Sequence, residues 1–353
     1  MSRPLTLNAR FRHRPVTGVE RFAIEVVKRL PARTGAEVAE IEPSAPLAGL
    51  RGHAWEQWVL PRKIETGSTL FSPCNTGPLT VRNQLVVIHD AAVWDHPEAF
   101  SCQFGTLYRQ LLPALAKRVA AVGTVSEFSR GRLSRYLGIS EERIHVLGNA
   151  ASSSFQPPVQ PKAVATPTIL CVGSLDPRKN FNRLVDAWIQ LSDSGKLPED
   201  ARLKIIGSAK PTNFSGFEAK DFPGISWLGR VSDEALIEHY QSATAFVFPS
   251  FYEGFGLPPL EAMACGCPVL LSHAASLPEV GGIEFNGRTG DDSEGAVFYF
   301  DPLSINDIAD SLVRVLEMAP SLVLQMSRNA IAHASGFSWD SVADRTRAAL
   351  PDS

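Results

Sequence analysis

At 353 residues, with 44% hydrophobic and 20% charged side chains, the chain has the composition of a globular protein long enough for two domains. No apolar run reaches the length needed to span a bilayer, and the N-terminus, MSRPLTLNARFRHRP, lacks the apolar core of a secretory signal. The net charge of −3 hides an asymmetry: Lys and Arg outnumber Asp and Glu by 19 to 13 through residue 160, and beyond it the balance is 15 to 24. A basic first half is expected to meet something anionic, either a phospholipid surface or a lipid-diphosphate acceptor. The five cysteines, Cys74, Cys102, Cys171, Cys265 and Cys267, are scattered. They suit reduced thiols in the cytoplasm better than a disulfide framework, with peripheral contact at the inner face of the membrane.

In chain order, the apolar run 5–8 predicts a first strand, and Thr17-Gly18-Val19-Glu20 leads into an amphipathic helix ended by Pro31. A glycine between a first strand and its helix lets the backbone approach a phosphate closely, although glycine is frequent in any such turn. Strands at 38–41, 69–72, 84–88, 119–125 and 144–147 alternate with helical stretches near 55–64, 100–116 and 127–136. Such alternation implies a mainly parallel sheet covered on both faces, with ligands beyond its C-terminal strand ends. His89 and Asp90 stand at one such end, and Ser126 reads as a helix cap. The stretch 155–167, FQPPVQPKAVATP, reads as a semi-rigid linker. It divides a first domain, 1–158, from a second, 159–336, with a terminal segment at 337–353.

The alternation then restarts. A strand at 168–172 is followed by Gly173-Ser174-Leu175-Asp176-Pro177-Arg178-Lys179-Asn180 and an amphipathic helix. Two cations at that junction, in an acidic half, are well placed to neutralise a diphosphate. Strands at 203–206 and 225–228 come next, the latter followed by Gly229, Arg230 and Val231. The stretch 245–282 is AFVFPSFYEGFGLPPLEAMACGCPVLLSHAASLPEVGG, a buried strand, a turn Glu253-Gly254-Phe255-Gly256, a helix from Leu257 and a second strand. That unit points backbone N–H groups and a helix N-terminus at one place, an anion site. Glu253 and Glu261 flank it, and acidic groups there suit the neutral hydroxyls on either side of a sugar–diphosphate–nucleoside.

Glu253-x7-Glu261 within PSFYEGFGLPPLEAMACGCPV resembles the nucleotide-sugar site of retaining glycosyltransferases of family 4. The resemblance covers most of the second half and recurs at 17–22, 85–100 and 124–130 of the first. It implies an α/β chain of GT-B fold, with two Rossmann-like domains facing across a cleft and a C-terminal helix crossing back onto the first. By resemblance, Gly18 faces the donor phosphates, and His89 in VVIHDAAVWDHPEAF is an active-site histidine near the donor sugar. Gly173, Ser174 and Lys179 belong to the phosphate-binding loop, and Arg230 and Val231 contact the base through backbone. Where many members carry arginine after the glycine this chain has Ser174, so Arg178 is expected to supply that charge.

The implied reaction moves a hexose with retention from a nucleotide sugar to a saccharide or lipid-linked saccharide. Glu261 would meet the ribose and Glu253 the transferred sugar. Lys179, Arg178 and the amides of Gly254, Phe255, Gly256 and Leu257 would hold the departing diphosphate. The motifs are most similar to mannosyltransferases of bacterial surface polysaccharide assembly, which makes GDP-mannose the expected donor; UDP-glucose, GDP-fucose and dTDP-rhamnose stay open. No Asp-x-Asp stands at a strand end, so no metal or other cofactor is expected, and nucleic acid is not a partner. Alternatives are a sugar-nucleotide epimerase of the same fold, which would convert donor without acceptor, and a binding subunit lacking turnover. The acceptor and linkage are not legible in the sequence.

Overall fold

Each short apolar run in this chain is followed by a helix long enough to carry the backbone to the start of the next, so neighbouring strands pair parallel rather than as hairpins. A computed structural model describes residues 4–35, 37–47, 49–159, 166–207 and 222–351. Among them the first sheet comprises β1 (Leu5–Asn8), β2 (Val38–Ile41), β3 (Thr69–Ser72), β4 (Gln84–Val87), β5 (Ala121–Thr124) and β6 (Ile144–Val146), in the order β2-β1-β3-β4-β5-β6. The second comprises β7 (Thr168–Val172), β8 (Arg202–Ile206), β9 (Ile225–Gly229), β10 (Ala245–Phe248), β11 (Val269–Ser272) and β12 (Val297–Phe300), in the order β12-β11-β10-β7-β8-β9. Every pairing in both is parallel. These are two Rossmann-like units. Strand order reverses between β1 and β3 in the first and between β7 and β10 in the second, the places where such sheets open a crevice at their C-terminal edge.

The units are residues 1–97, 102–150 and 338–353, and residues 98–101 and 151–337. The division falls at 150/151, ahead of the proline-rich stretch, whose residues 160–165 lie outside the described ones. The reason is Phe155, which is buried with its ring edge on Tyr240 at 6.1 Å, while Gln241 donates to the Gln156 carbonyl at 2.8 Å. The first helix also runs past the expected stop. It spans Gly18–Thr34 with Pro31 in its last turn and ends on Gly35, whose φ of 64° is the left-handed cap that glycine accepts without strain.

In the first unit the helix Trp339–Ala349 lies against Gly18–Thr34. Arg33 pairs with Asp340 and Asp344, both at 2.6 Å, and Arg345 donates to the Leu147 carbonyl at 2.6 Å. Trp339 is buried and sets its edge toward Phe22 at 6.2 Å, but its indole N–H has no partner among the described residues. The second unit packs Leu184, Trp188, Leu203, Val247, Leu270 and Leu312 into one core around its sheet. No described helix is long and apolar enough to cross a membrane.

Trp339→Ala should destabilise by about 3–5 kcal/mol through the cavity it leaves. Trp339→Phe keeps most of the ring, deletes the unpaired N–H and should cost under about 1.5 kcal/mol. Urea unfolding followed by circular dichroism would check this; equal losses in the two variants would mean that the N–H, not the packing, matters.

Candidate active site

The site grows from three strand ends of the second unit. Gly173 follows β7, where an added Cβ would lie 3.1 Å from the Phe181 ring. Gly207 follows β8, and its added Cβ would lie 1.7 Å from the Gly173 carbonyl oxygen, so no side chain fits there. Beyond Ser174, the buried Asp176 caps the short turn Pro177–Lys179 by accepting from the Arg178 N–H at 3.0 Å. Asn180 follows in the left-handed region, φ 57°, and its buried amide donates to the carbonyls of Pro249 at 3.0 Å and Pro302 at 2.8 Å. The Phe251 N–H donates to the Arg178 carbonyl at 2.8 Å. The loop after β7 is thereby stitched to the loop after β10, across the point where strand order reverses.

The second loop is held from behind. Gly256 caps the helix Leu257–Ala264 at φ 112°, where an added Cβ would press on Leu277 at 2.7 Å. The fully buried Ser276 hydroxyl stands 2.9 Å from the Glu253 carbonyl and 2.8 Å from the Phe255 carbonyl, a shared donation that fixes both. With those carbonyls engaged, the turn through Gly254 is set and the Glu253 side chain projects toward the first loop. There Lys179 Nζ donates to Glu253 Oε1 at 2.6 Å, with only 16% and 13% of the two side chains exposed. The Lys179 ammonium also stands 5.4 Å from the centre of the Phe248 ring.

Arg178 turns to the other side. Its guanidinium takes Asp176 in a forked pair at 3.0 and 2.5 Å and stacks over Phe100 at 5.3 Å. Burial works against the Asp176 charge, but the guanidinium and the capping N–H outweigh it and hold the carboxyl below the usual range. Glu261 is on the second turn of its helix and is 7% exposed. Burial, with the Glu261 carboxylate adding to it, pushes the Tyr240 phenol up. Arg230 and Val231 follow β9, the edge strand, two strand spacings or about 10 Å from the end of β7. The structure thus joins Lys179 and Glu253 directly, with Gly173 and Gly256 in the two loops that carry them, engages Arg178 with Asp176, and sets Arg230 and Val231 farther along the same edge.

The other two expected residues belong to the first unit. Gly18 opens the helix after β1, just beyond Thr17, whose N–H donates to Glu20 at 3.1 Å. His89 follows β4 and is buried, with Nε2 2.8 Å from the Pro73 carbonyl and its ring edge-on to Phe22 at 5.1 Å. A carbonyl only accepts, so Nε2 carries the proton. Burial pushes the His89 pKa down, so the ring is neutral at pH 7 with its lone pair on Nδ1. Among the described residues no group of three or more His, Cys, Asp or Glu side chains could hold a metal.

Asp176, Asn180, Gly207 and Ser276 were not singled out by the sequence reading. Two of them carried a signal. Asp176 before a proline has the form of a cap, and Ser276-x-x-Glu279 has capping-box spacing. Asn180 and Gly207 are set by contacts to distant carbonyls, which no local pattern shows.

Two doubly wound parallel units, each with a strand-order reversal, are the parts of a GT-B architecture. Residues 166–318 match the family described as Glycosyl transferases group 1. The chain is 29% identical over 293 residues to the O-antigen chain mannosyltransferase B of Escherichia coli, covering 76% of this chain and 70% of that one. It is 28% identical over 246 residues to the O-antigen chain mannosyltransferase RfbU of Salmonella typhimurium, 69% and 67% of the two chains. Against the serotype-specific mannosyltransferase WbdA of Escherichia coli, 28% identity over 246 residues spans only 28% of that longer protein. In fold, the chain is similar to sucrose-phosphate synthase from Thermosynechococcus elongatus, with a TM-score of 0.72, 18% identity and 98% of each chain covered. WaaG, a glycosyltransferase involved in lipopolysaccharide biosynthesis, superposes at 0.66 with 15% identity over 99% of each. The chain therefore carries a glycosyltransferase group 1 domain and is a glycosyltransferase of the GT-B fold.

The Asp176 pair has a pH signature. A carboxyl whose folded pKa lies below its unfolded value contributes stability at neutral pH that is lost as pH falls through the folded pKa. Arg178→Met leaves the buried Asp176 charge uncompensated and should cost about 3 kcal/mol at pH 7. The gap to the unsubstituted protein should narrow as the pH falls below the ordinary carboxylate range. Urea midpoints at neutral and acid pH would check it, and a gap independent of pH would remove Asp176 from the account.

Proposed function

We propose that the protein is a retaining mannosyltransferase that takes mannose from GDP-mannose and adds it to a saccharide or lipid-linked saccharide in bacterial surface polysaccharide assembly. The relatives support the sugar, since two are O-antigen chain mannosyltransferases of comparable length. The observation that carries the site is the Lys179–Glu253 pair, a cation and a carboxylate from two stitched loops at one strand-order reversal.

A nucleotide sugar has a counterpart for each of its parts along this edge. The base lies toward Arg230 and Val231, at β9. Glu261 accepts from the ribose hydroxyls, and the diphosphate lies between the loop Gly173–Ser174 and the N-terminus of Leu257–Ala264, where Pro258 and Pro259 carry no N–H and the amides of Gly256 and Leu257 are the ones offered. Glu253 accepts from hydroxyls of the transferred sugar. As the bond to the diphosphate breaks, charge grows on the leaving oxygen and the sugar becomes oxocarbenium-like. Lys179 and the amides of Gly256 and Leu257 stabilise that charge, and the acceptor hydroxyl attacks on the face being vacated, which retains configuration. Arg178 acts through Asp176 by fixing the turn that presents Lys179. The roles of Gly18 and His89 rest on the family resemblance. With cations serving the leaving group, turnover should survive chelation by EDTA.

Lys179→Ala should lower kcat by roughly 30- to 1,000-fold, the loss of one preorganised electrostatic group of about 2–4 kcal/mol. Its charge is needed most in the transition state, so nucleoside diphosphate affinity should fall less. Unchanged turnover would overturn the site.

Glu253→Gln and Glu261→Gln should separate. Glu261 serves a part common to donor and product, so its loss should weaken both, by about 1.5–3 kcal/mol for a charge-assisted hydrogen bond. Glu253→Gln should cut transfer and blur selection between GDP-mannose and UDP-glucose. It should leave nucleoside diphosphate affinity intact or higher, because Lys179 is then released from its carboxylate. Calorimetry with GDP and UDP, beside a donor panel read by nucleoside diphosphate release, would check this. Lost product binding in Glu253→Gln alone would reverse the two roles.

A further inference from the structure

Residues 49–63 of the first unit form one continuous helix in three parts, Gly49–Ala54, Trp55–Val59 and Leu60–Lys63, the middle part in π geometry. Its inner side is fixed. Trp55 and Leu60 pack on Leu70, and the buried Glu56 accepts from Asn8 Nδ2 at 2.7 Å with Arg10 Nε at 3.6 Å. Its outer side is apolar where solvent should favour polar residues: Leu50 is 73% exposed, Trp58 64% and Val59 39%. Eight residues of regular α-helix overshoot two turns by about 80°. The wider π turn absorbs about one residue and brings Trp58 back to the face of Leu50.

Charge on this helix is one-sided. Its only acidic residue, Glu56, points inward, while Arg51, Arg62 and Lys63 are exposed and have no acidic partner among the described residues. Arg62 folds back to donate to the Trp58 backbone carbonyl. Glu65 lies beyond the helix end. A Trp and a Leu rimmed by three unpaired cations form a surface suited to the boundary between headgroups and acyl chains of an anionic bilayer. A polar protein partner would leave the indole without a match, and nucleic acid would leave the aliphatic side chains so.

We propose that the face Leu50–Trp58–Val59, with Arg51, Arg62 and Lys63, docks the protein reversibly on an anionic lipid surface. The inference does not depend on the donor assignment, because its test needs no turnover. The full chain is sedimented at low salt with vesicles of phosphatidylcholine alone and of phosphatidylcholine with phosphatidylglycerol. Binding is expected only to the second. Trp58→Ala should lower partition roughly tenfold, and Arg62→Gln with Lys63→Gln roughly 30-fold, at about fivefold per cation. Both variants should keep their unfolding midpoints, since the replaced side chains are exposed. Absence of binding to the phosphatidylglycerol vesicles, or equal binding by the variants, overturns the proposal. So does a concentration-dependent dimer in size-exclusion chromatography that Trp58→Ala abolishes, which would assign the face to a second copy of the chain.

Discussion

The arrangement of the second unit depends on the stitching of two loops across the β7–β10 junction. Each contact is modest alone: a backbone N–H to a carbonyl, one asparagine amide shared between two carbonyls, and one ion pair. Together they fix Lys179 and Glu253 where neither could be placed by its own loop. Long flexible side chains lose much entropy on ordering, and here the contacts between the two loops hold the stems of both side chains near each other. The pair that results is nearly neutral, so it does not load the site with uncompensated charge in the absence of substrate. In the reaction proposed above, an arriving diphosphate would compete with Glu253 for Lys179, while a sugar hydroxyl could still donate to Glu253. In the proposed reaction the two ligand parts thus exchange one internal ion pair for two external contacts.

That exchange needs backbone close by, which explains where glycine is required. Gly207 has no room for a Cβ against the Gly173 carbonyl, and Gly256 adopts a left-handed conformation under Leu277. Both stand at strand or helix ends on one edge of the sheet. The edge is shaped by what is missing from the side chains, and amides rather than side chains line the route that a phosphate would take.

The alternation of strands and helices was legible in the sequence because period and length agree at nearly every element. So was the stretch 245–282, where glycines, prolines and glutamates fall at consistent spacings. The helix end at Gly35 was misplaced because Pro31 is tolerated in a last turn. The compact units divide at 150/151 rather than at the expected 158/159, because a single buried ring, Phe155, binds a polar, proline-rich stretch to the second unit. The direct meeting of Lys179 and Glu253, 74 residues apart, was not legible at all. The family resemblance gave each an expected ligand part; only the fold brings the two together. The π turn at 55–59 was equally hidden, since a one-residue change in helical phase leaves no mark on composition.

The first unit offers a comparison that separates structural from functional pairing. It too has a cation and a carboxylate at its strand-order reversal: Arg10 follows β1, reaches Thr76 beyond β3 at 3.0 Å, and lies 3.6 Å from Glu56. The cations follow the first strand of each unit, but Glu56 stands on the helix before β3 while Glu253 stands in the loop after β10, and their exposures differ. Arg10 and Glu56 are 5% and 1% exposed, so no ligand reaches either without local unfolding. Such a fully buried pair adds little net stability over an apolar replacement, although breaking it is costly. What it does fix is direction, because Glu56 can satisfy its charge only with the helix 49–63 turned so that Trp58 faces out. The Lys179–Glu253 pair is accessible enough to exchange partners and the Arg10–Glu56 pair is not. A cation after the first strand thus belongs to the candidate site in the second unit and to a buried strut in the first.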